Sequence, residues 1–248
     1  MRVSMIAVTH KGNIRNKNED NFYCSGLGVN DGVNMHIVQK DYDTDKRLFF
    51  GVFDGIGGLG NGEIASSYAE GKFKTYDEKE DVRSLEELLI EVNEYICCKK
   101  NELNQAMGST AVVISVNEDM YELANVGDSK CFLLRDGKLV QITEDHTQAE
   151  ILKKIGMENS DMNNVLTQYL GVPYEEFQIE PYTRKEQIKT GDMFLLCSDG
   201  LTSMVPEEKI LETLISKDDL NRKMNVLLQM ALEKGGTDNV TIILLQLE

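Results

Sequence analysis

The 248-residue sequence is poor in proline and histidine, with three of each, and no apolar run approaches the ~20 residues that a membrane-spanning helix needs. It also has no Gly/Ser-rich tract, no low-complexity segment and no repeat of fixed period, so nothing marks an interdomain linker. A single domain over 1–248 is the expectation, and 41% apolar content is enough to build its core. The N-terminal Met1-Arg2-Val3-Ser4-Met5-Ile6 has no extended apolar h-region, which argues against secretion as well as membrane insertion. His10, His36 and His146 are far apart and form no close ligand pair, which disfavours zinc. The five cysteines (Cys24, Cys97, Cys98, Cys131 and Cys197) are odd in number, lack zinc-type pairing and mostly lie within apolar runs. They read as buried thiols in a reducing cytoplasm. Positive charge is scarce as well: 26 basic residues against 42 acidic ones give a net charge of −16. That balance disfavours nucleic-acid phosphates and anionic membranes as partners, and draws cations and basic partners instead.

Short apolar runs and alternations predict strands over 3–9, 48–53, 111–116, 121–126, 130–135, 139–143, 193–197 and 240–247. Arg135-Asp136-Gly137-Lys138 is a hairpin turn signal, and Asn117-Glu118-Asp119 joins a second adjacent pair, so the sheets should be largely antiparallel. Helical periodicity covers 62–76, 84–106, 146–155, 206–216 and 220–234, with Pro206 placed in a first turn. Clustered strands interrupted by paired helices point to α+β layering. The segment 145–190 is more polar than its flanks and reads either as a lid-like flap or as an ordinary helical connection.

Acids are what the chain has in quantity, and four segments put them where the backbone should turn: Asn18-Glu19-Asp20, Phe53-Asp54-Gly55, Ser198-Asp199-Gly200 and Thr237-Asp238-Asn239. Converging carboxylates repel one another, and a hard cation such as Mg²⁺ or Mn²⁺ among them relieves that repulsion. An isolated Asp-Gly is more often a turn than a site, and Asp136-Gly137 is such a case. Asp54 differs because it ends an apolar run and opens the glycine-rich stretch Gly55-Ile56-Gly57-Gly58-Leu59-Gly60-Asn61-Gly62, where backbone carbonyls can approach a ligand. Asp199 also ends an apolar run, and Asp238 just precedes one. Asp41, Asp43 and Asp45 imitate the start of an EF-hand loop, but Lys46 stands where glycine is needed and Val52 where the bidentate glutamate is needed, so they read as a solvated loop. Ser129 and Ser198 lack a nucleophile elbow and a histidine partner, which leaves metal-activated water as the better nucleophile. Arg15, just before the Asn18-Glu19-Asp20 group, is either plain surface or a guanidinium clamp for phosphate.

Six stretches, taken in order, carry a resemblance over essentially the whole chain: Gly12-Asn13-Ile14-Arg15-Asn16-Lys17-Asn18-Glu19-Asp20, Val52-Phe53-Asp54-Gly55-Ile56-Gly57-Gly58, Gly108-Ser109-Thr110, Asn125-Val126-Gly127-Asp128-Ser129, Cys197-Ser198-Asp199-Gly200-Leu201 and Gly235-Gly236-Thr237-Asp238-Asn239-Val240-Thr241. Together they resemble the metal-dependent Ser/Thr protein phosphatases of the type 2C family, in its bacterial form. The resemblance implies a four-layer α-β-β-α sandwich of two antiparallel sheets flanked by helix pairs, with two Mn²⁺ or Mg²⁺ ions at one end. By that similarity Asp54 would bridge both ions, and Asp199 and Asp238 would complete one site. The Gly55 carbonyl and Glu19 would serve the other, partly through water, while Asp20 would orient coordinated water. A bridging water would then attack phosphorus in line while Arg15 holds the phosphoryl oxygens, and the segment 145–190 would be the family's variable flap.

Three departures from the family pattern stand out. Ile56 occupies a position where many eukaryotic members carry a histidine assigned as general acid. Asn104-Gln105-Ala106-Met107 lacks the aspartate that often serves a third metal, and Lys130 and Gln168 replace arginines. The expected activity is hydrolysis of phosphoserine and phosphothreonine in proteins, by a cytoplasmic monomer whose partners are Ser/Thr kinases and their substrates. The competing readings are a catalytically silent binding module of the same fold and a phosphatase acting in a partner-switching cascade.

Overall fold

The computed structural model describes residues 1–29, 34–157, 162, 165–173 and 177–248. In chain order the strands are β1 (Arg2–His10), β2 (Asn21–Cys24), β3 (Leu27–Gly28), β4 (Met35–Asp43), β5 (Leu48–Phe53), β6 (Ala111–Asn117), β7 (Met120–Val126), β8 (Lys130–Arg135), β9 (Lys138–Gln141), β10 (Tyr182–Gln187), β11 (Met193–Cys197) and β12 (Val240–Leu247). The α-helices are α1 (Gly62–Glu78), α2 (Leu85–Leu103), α3 (Gln148–Lys154), α4 (Asp199–Thr202), α5 (Glu207–Leu214) and α6 (Leu220–Glu233). The strands form two six-stranded sheets, ordered β4-β1-β12-β11-β8-β9 and β10-β7-β6-β5-β2-β3. Every pairing is antiparallel.

Alternation along the strands sorts the core into three layers. Val3, Met5 and Ala7 of β1, Ile243 and Leu245 of β12, and Phe50 and Val52 of β5 meet between the sheets. The opposite faces of the same strands turn to the helices. Ile6, Val8, Ile242 and Leu244 pack with Ile210 and Leu214 of α5 and with Met224, Leu227 and Leu228 of α6. Phe49 and Phe53 pack with Phe73 and Tyr76 of α1 and with Leu88, Leu89 and Val92 of α2. This is the expected α-β-β-α sandwich. Helix α2 opens with a capping box in which Ser84 and Glu87 satisfy each other's backbone amides.

Two expectations change. Asp41 and Asp43 are not in a solvated loop but on β4, paired in register with β1, and the Asp41 carboxylate accepts from Arg2. β4 lies at a sheet edge with one face in water, so the backbone ladder holds it rather than an apolar pattern. Pro206 is the N-cap residue of α5 rather than part of its first turn. Within 145–190, residues 158–161, 163–164 and 174–176 lie outside the described residues. The described part contains α3, and β10 joins the edge of the second sheet against β7.

Candidate metal centre

Antiparallel pairing brings the acids together. The start of β12 pairs with the end of β1 (His10↔Val240) and runs beside the end of β11 (Cys197↔Ile242), so Asp238 and Asp199 fall at one end of the first sheet. In the second sheet the start of β2 pairs with the end of β5 (Asn21↔Phe53), which places Asp20 beside Asp54. The end of β7 and the start of β8, joined through Gly127, Asp128 and Ser129, reach the same rim. Asp20, Asp54, Asp199 and Asp238 therefore converge from four separate stretches, as the sequence led us to expect, and Asp128 joins them. Asp128 was missed as a site residue, although its motif sits between two apolar strands just as Asp54 and Asp199 end theirs. Among the described residues no group of three His, Cys, Asp or Glu side chains is close enough to be a preformed metal cage. The acids share a rim rather than a tight cluster.

Backbone and hydroxyl contacts fix each position. Thr110 clamps Asp54 from both sides: its amide donates to the Asp54 carbonyl at 2.8 Å, and its Oγ1 accepts from the Asp54 amide at 3.2 Å. Asp20 is 2% exposed, and its Oδ2 accepts from Ser198 Oγ at 2.8 Å and Thr241 Oγ1 at 2.7 Å. Asp20 Oδ1 is buried with no hydrogen-bond partner among the described residues. The Arg15 guanidinium, 45% exposed at the mouth, donates to Asp238 Oδ2 at 2.6 Å, so it is paired with one of the acids it was expected to work beside. Asn239 ties the loop before β2 to the start of β12. Its Oδ1 accepts from the Glu19 amide at 2.8 Å, and its Nδ2 donates to the Lys11 and Lys17 carbonyls at 2.8 and 2.9 Å. Ser129 and Ser198 are buried and bonded to Thr110 Oγ1 and Asp20 respectively, so neither is presented as a nucleophile.

Gly55 and Gly57 make the space. The Gly55 amide donates to the Glu19 carbonyl at 3.2 Å, and a Cβ on Gly55 would lie 2.4 Å from the Gly62 carbonyl and 2.6 Å from the Glu19 carbonyl oxygen. Both obstacles are backbone, so Gly55→Ala should cost about 1–3 kcal/mol of stability and displace the Glu19 loop. Chemical denaturation alongside activity measures this; a variant with wild-type values for both would refute the close approach. A Cβ on Gly57 would meet Glu19 Oε2 at 2.3 Å, so the Glu19 carboxylate lies against bare backbone there.

The electrostatics are those of negative charge without enough compensation. Burial, followed by repulsion from Asp20, Asp199, Asp128 and Asp238, pushes the Asp54 carboxyl well above the usual range. Burial holds Asp20 at about 7 in spite of its two hydroxyl donors. Asp128 reaches about 7 through burial and Asp199. Asp199 reaches about 6 through burial and Asp238. Burial and then Glu63 raise Glu19. Deprotonated together, these groups need cations. An all-oxygen donor set and the orphaned, buried Asp20 Oδ1 fit hard divalent ions. His10 and His146 each accept a hydrogen bond from a backbone amide, that of Gly12 and of Gly127.

Lys130, one of the departures from the family pattern, forms an ion pair with Asp145, and Gln168 Oε1 accepts from the Glu180 amide at 2.7 Å. Both substitutions therefore make contacts inside the 145–190 region or at its edge. No described helix is long and apolar enough to cross a membrane.

The fold and rim recur in known proteins. The sequence profile described as Protein phosphatase 2C matches residues 8–152, more than half of the chain. The serine/threonine phosphatase stp of Listeria innocua is 34% identical over 255 residues, covering 96% of this chain and 93% of its own. The serine/threonine protein phosphatase PstP of Mycobacterium tuberculosis is 30% identical over 206 residues, covering 77% of this chain and 38% of its own. Among solved structures, the PstP catalytic domain in complex with two manganese ions superposes with a TM-score of 0.80 at 27% identity over 100% of both chains. A Streptococcus agalactiae serine/threonine phosphatase gives 0.81 at 26% identity, over 98% of this chain and 100% of its own. With its six motifs in order, its sandwich and its acid-lined rim, this chain belongs to the protein phosphatase 2C family.

Proposed function

We propose that the chain hydrolyses phosphoserine and phosphothreonine in proteins at a centre of two Mn²⁺ or Mg²⁺ ions, with Asp54, Asp199, Asp238 and the Gly55 carbonyl as direct ligands. Glu19 and Asp20 act through water. The observation that carries this reading is the convergence of Asp20, Asp54, Asp199 and Asp238 at one rim, beside the exposed Arg15 guanidinium. Bound there, the ions supply a nucleophile from water near neutral pH and positive charge for the phosphoryl oxygens.

The chain's own residues do the rest. Arg15 offers a forked set of donors to the phosphoryl group at the mouth, and Asp238 holds that fork in place. Ser198 and Thr241 hold one oxygen of the Asp20 carboxyl and leave the other without a partner among the described residues, free to accept from water. Asn239 and Thr110 lock the backbone that carries Glu19 and Asp54. Ile56 offers no proton, so the departing seryl or threonyl oxygen takes one from water or from another residue. Phosphorylated proteins are the substrates. We further propose that these are Ser/Thr kinases and their targets, met in the cytoplasm by a monomer, in keeping with the net charge of −16.

The test is hydrolysis of a phosphothreonine peptide with and without Mn²⁺, in the wild type and in Asp199→Asn. Turnover should require Mn²⁺ and fall by at least about 10²–10³-fold in the variant, the cost of losing a single group that stabilises transition-state charge. Turnover indifferent to both would end this reading. Bound Mn²⁺ with no turnover on several phosphopeptides would point to a silent binding module instead.

A further inference from the structure

Glu63 is a charged residue in the first turn of α1 that the mechanism above does not use. Its Oε1 accepts from Lys17 Nζ at 2.6 Å, which ties the loop before β2 to the helix. Its Oε2 is buried and has no hydrogen-bond partner among the described residues. One turn further along α1, the Ser66 hydroxyl donates to both the Glu19 carbonyl, at 2.6 Å, and the Glu63 carbonyl, at 3.2 Å, and after burial the Glu63 charge is the largest influence raising the Glu19 carboxyl. Glu19 is also fenced by the bare backbone of Gly57. The first turn of α1 therefore surrounds Glu19. Glu63 also lines a recess of about 520 Å³ together with Asp20, Asn18 and Lys17.

We propose that Glu63 is a positioning residue for Glu19, fixing the charge and direction with which Glu19 meets the second divalent ion. The inference rests on the two-cation reading above. Two carboxylates side by side give Glu19 more negative potential than it would have alone, and strengthen it as an acceptor for coordinated water. The orphaned Oε2 offers that water network a further anchor. Lys17 holds Glu63 at its other oxygen and partly offsets the charge. Partners that orient a ligand in this way typically change metal affinity by 10–100-fold when removed.

The test compares wild type, Glu63→Gln and Lys17→Met by calorimetric titration of the metal-free proteins with Mn²⁺, and by phosphothreonine-peptide kinetics across Mn²⁺ concentrations. Glu63→Gln keeps shape and bulk. It should weaken one of two Mn²⁺ binding events by 10–100-fold and leave the other unchanged, with kcat recovering at saturating Mn²⁺ and the peptide KM unaltered. Lys17→Met removes a competing cation, so its Mn²⁺ binding should be unchanged or tighter. If Glu63→Gln binds Mn²⁺ like the wild type, the proposal falls. It also falls if Lys17→Met reproduces the loss, because the ion pair would then matter only as a loop anchor. Wild-type protein that shows fewer than two binding events or no turnover overturns the phosphatase reading itself, an outcome distinct from the other two.

Discussion

Replacing Asp54 with asparagine should lower kcat/KM for a phosphothreonine peptide by more than about 10³-fold and, at the same time, raise the melting temperature of the metal-free protein. The two effects have one cause. Asp54 stands where burial and four other carboxylates oppose its charge, so its ionised form destabilises the metal-free fold. Asparagine keeps the shape and the backbone clamp from Thr110 but carries no charge. For a chain of this length the melting temperature should rise by about 2–4 °C for each kcal/mol of repulsion removed. The same substitution deletes the ligand proposed to touch both ions, so the gain in stability comes with the loss of chemistry. Thermal melts in EDTA at pH 8, run beside the peptide assay, decide the matter. A variant that is both inactive and less stable than the wild type would mean that Asp54 serves packing rather than charge.

The pH dependence of the metal-free protein provides the second large effect. Asp20 and Asp128 are raised to about 7 and Asp199 to about 6, all above their unfolded value near 4. A carboxyl raised in the folded state keeps its proton there at pH values where the unfolded chain has lost it. Its contribution is therefore fully present below pH 4 and disappears as pH rises through 6 to 7. Metal-free protein should lose stability from pH 5 to pH 8, by roughly 1 kcal/mol for a group held where Asp199 is, with the set titrating jointly rather than additively. The net charge of −16 pushes the same way, so the control is Asp54→Asn, whose curve should be flatter. Added Mn²⁺ should reverse the trend, because protons and cations compete for the same oxygens. At pH 8 an ion at a hundred times its Kd adds about 2.7 kcal/mol, and at pH 5 much less. A metal-free melting temperature that is flat or rising from pH 5 to pH 8 would contradict the assigned electrostatics.

Much of this centre could be read before the structure, because Asp54 and Asp199 end apolar runs and Asp238 precedes one. Buried strands announce themselves, and their ends are fixed by the change to polar sequence. What could not be read were two of the edges. β4 and β10 carry polar and charged residues with one face in water, which protects a sheet edge from pairing with other chains. That same protection removes the apolar signal. β2 is only four residues long and lies between polar loops. Asp128 was visible as part of a motif, but its membership in the rim depends on where β7 and β8 sit in two different sheets, which local pattern does not encode. Glu63 gave no signal beyond an acid in a first helical turn, a common preference with its own electrostatic reason. The pairing of Arg15 with Asp238, 223 residues apart, likewise required the fold.

Asp20 heads β2 in one sheet, yet its carboxylate is bonded to Ser198 and Thr241 in the other. Asp54 belongs to the first of these sheets, and Asp199 and Asp238 to the second. On the proposed ligand set, a cation held by Asp54, Asp199 and Asp238 would work as a rivet through two plates. Sliding one sheet over the other by a fraction of an ångström would pull the ligands out of register, so the large side chains between the sheets, far from any phosphate, set how tightly the rivet holds.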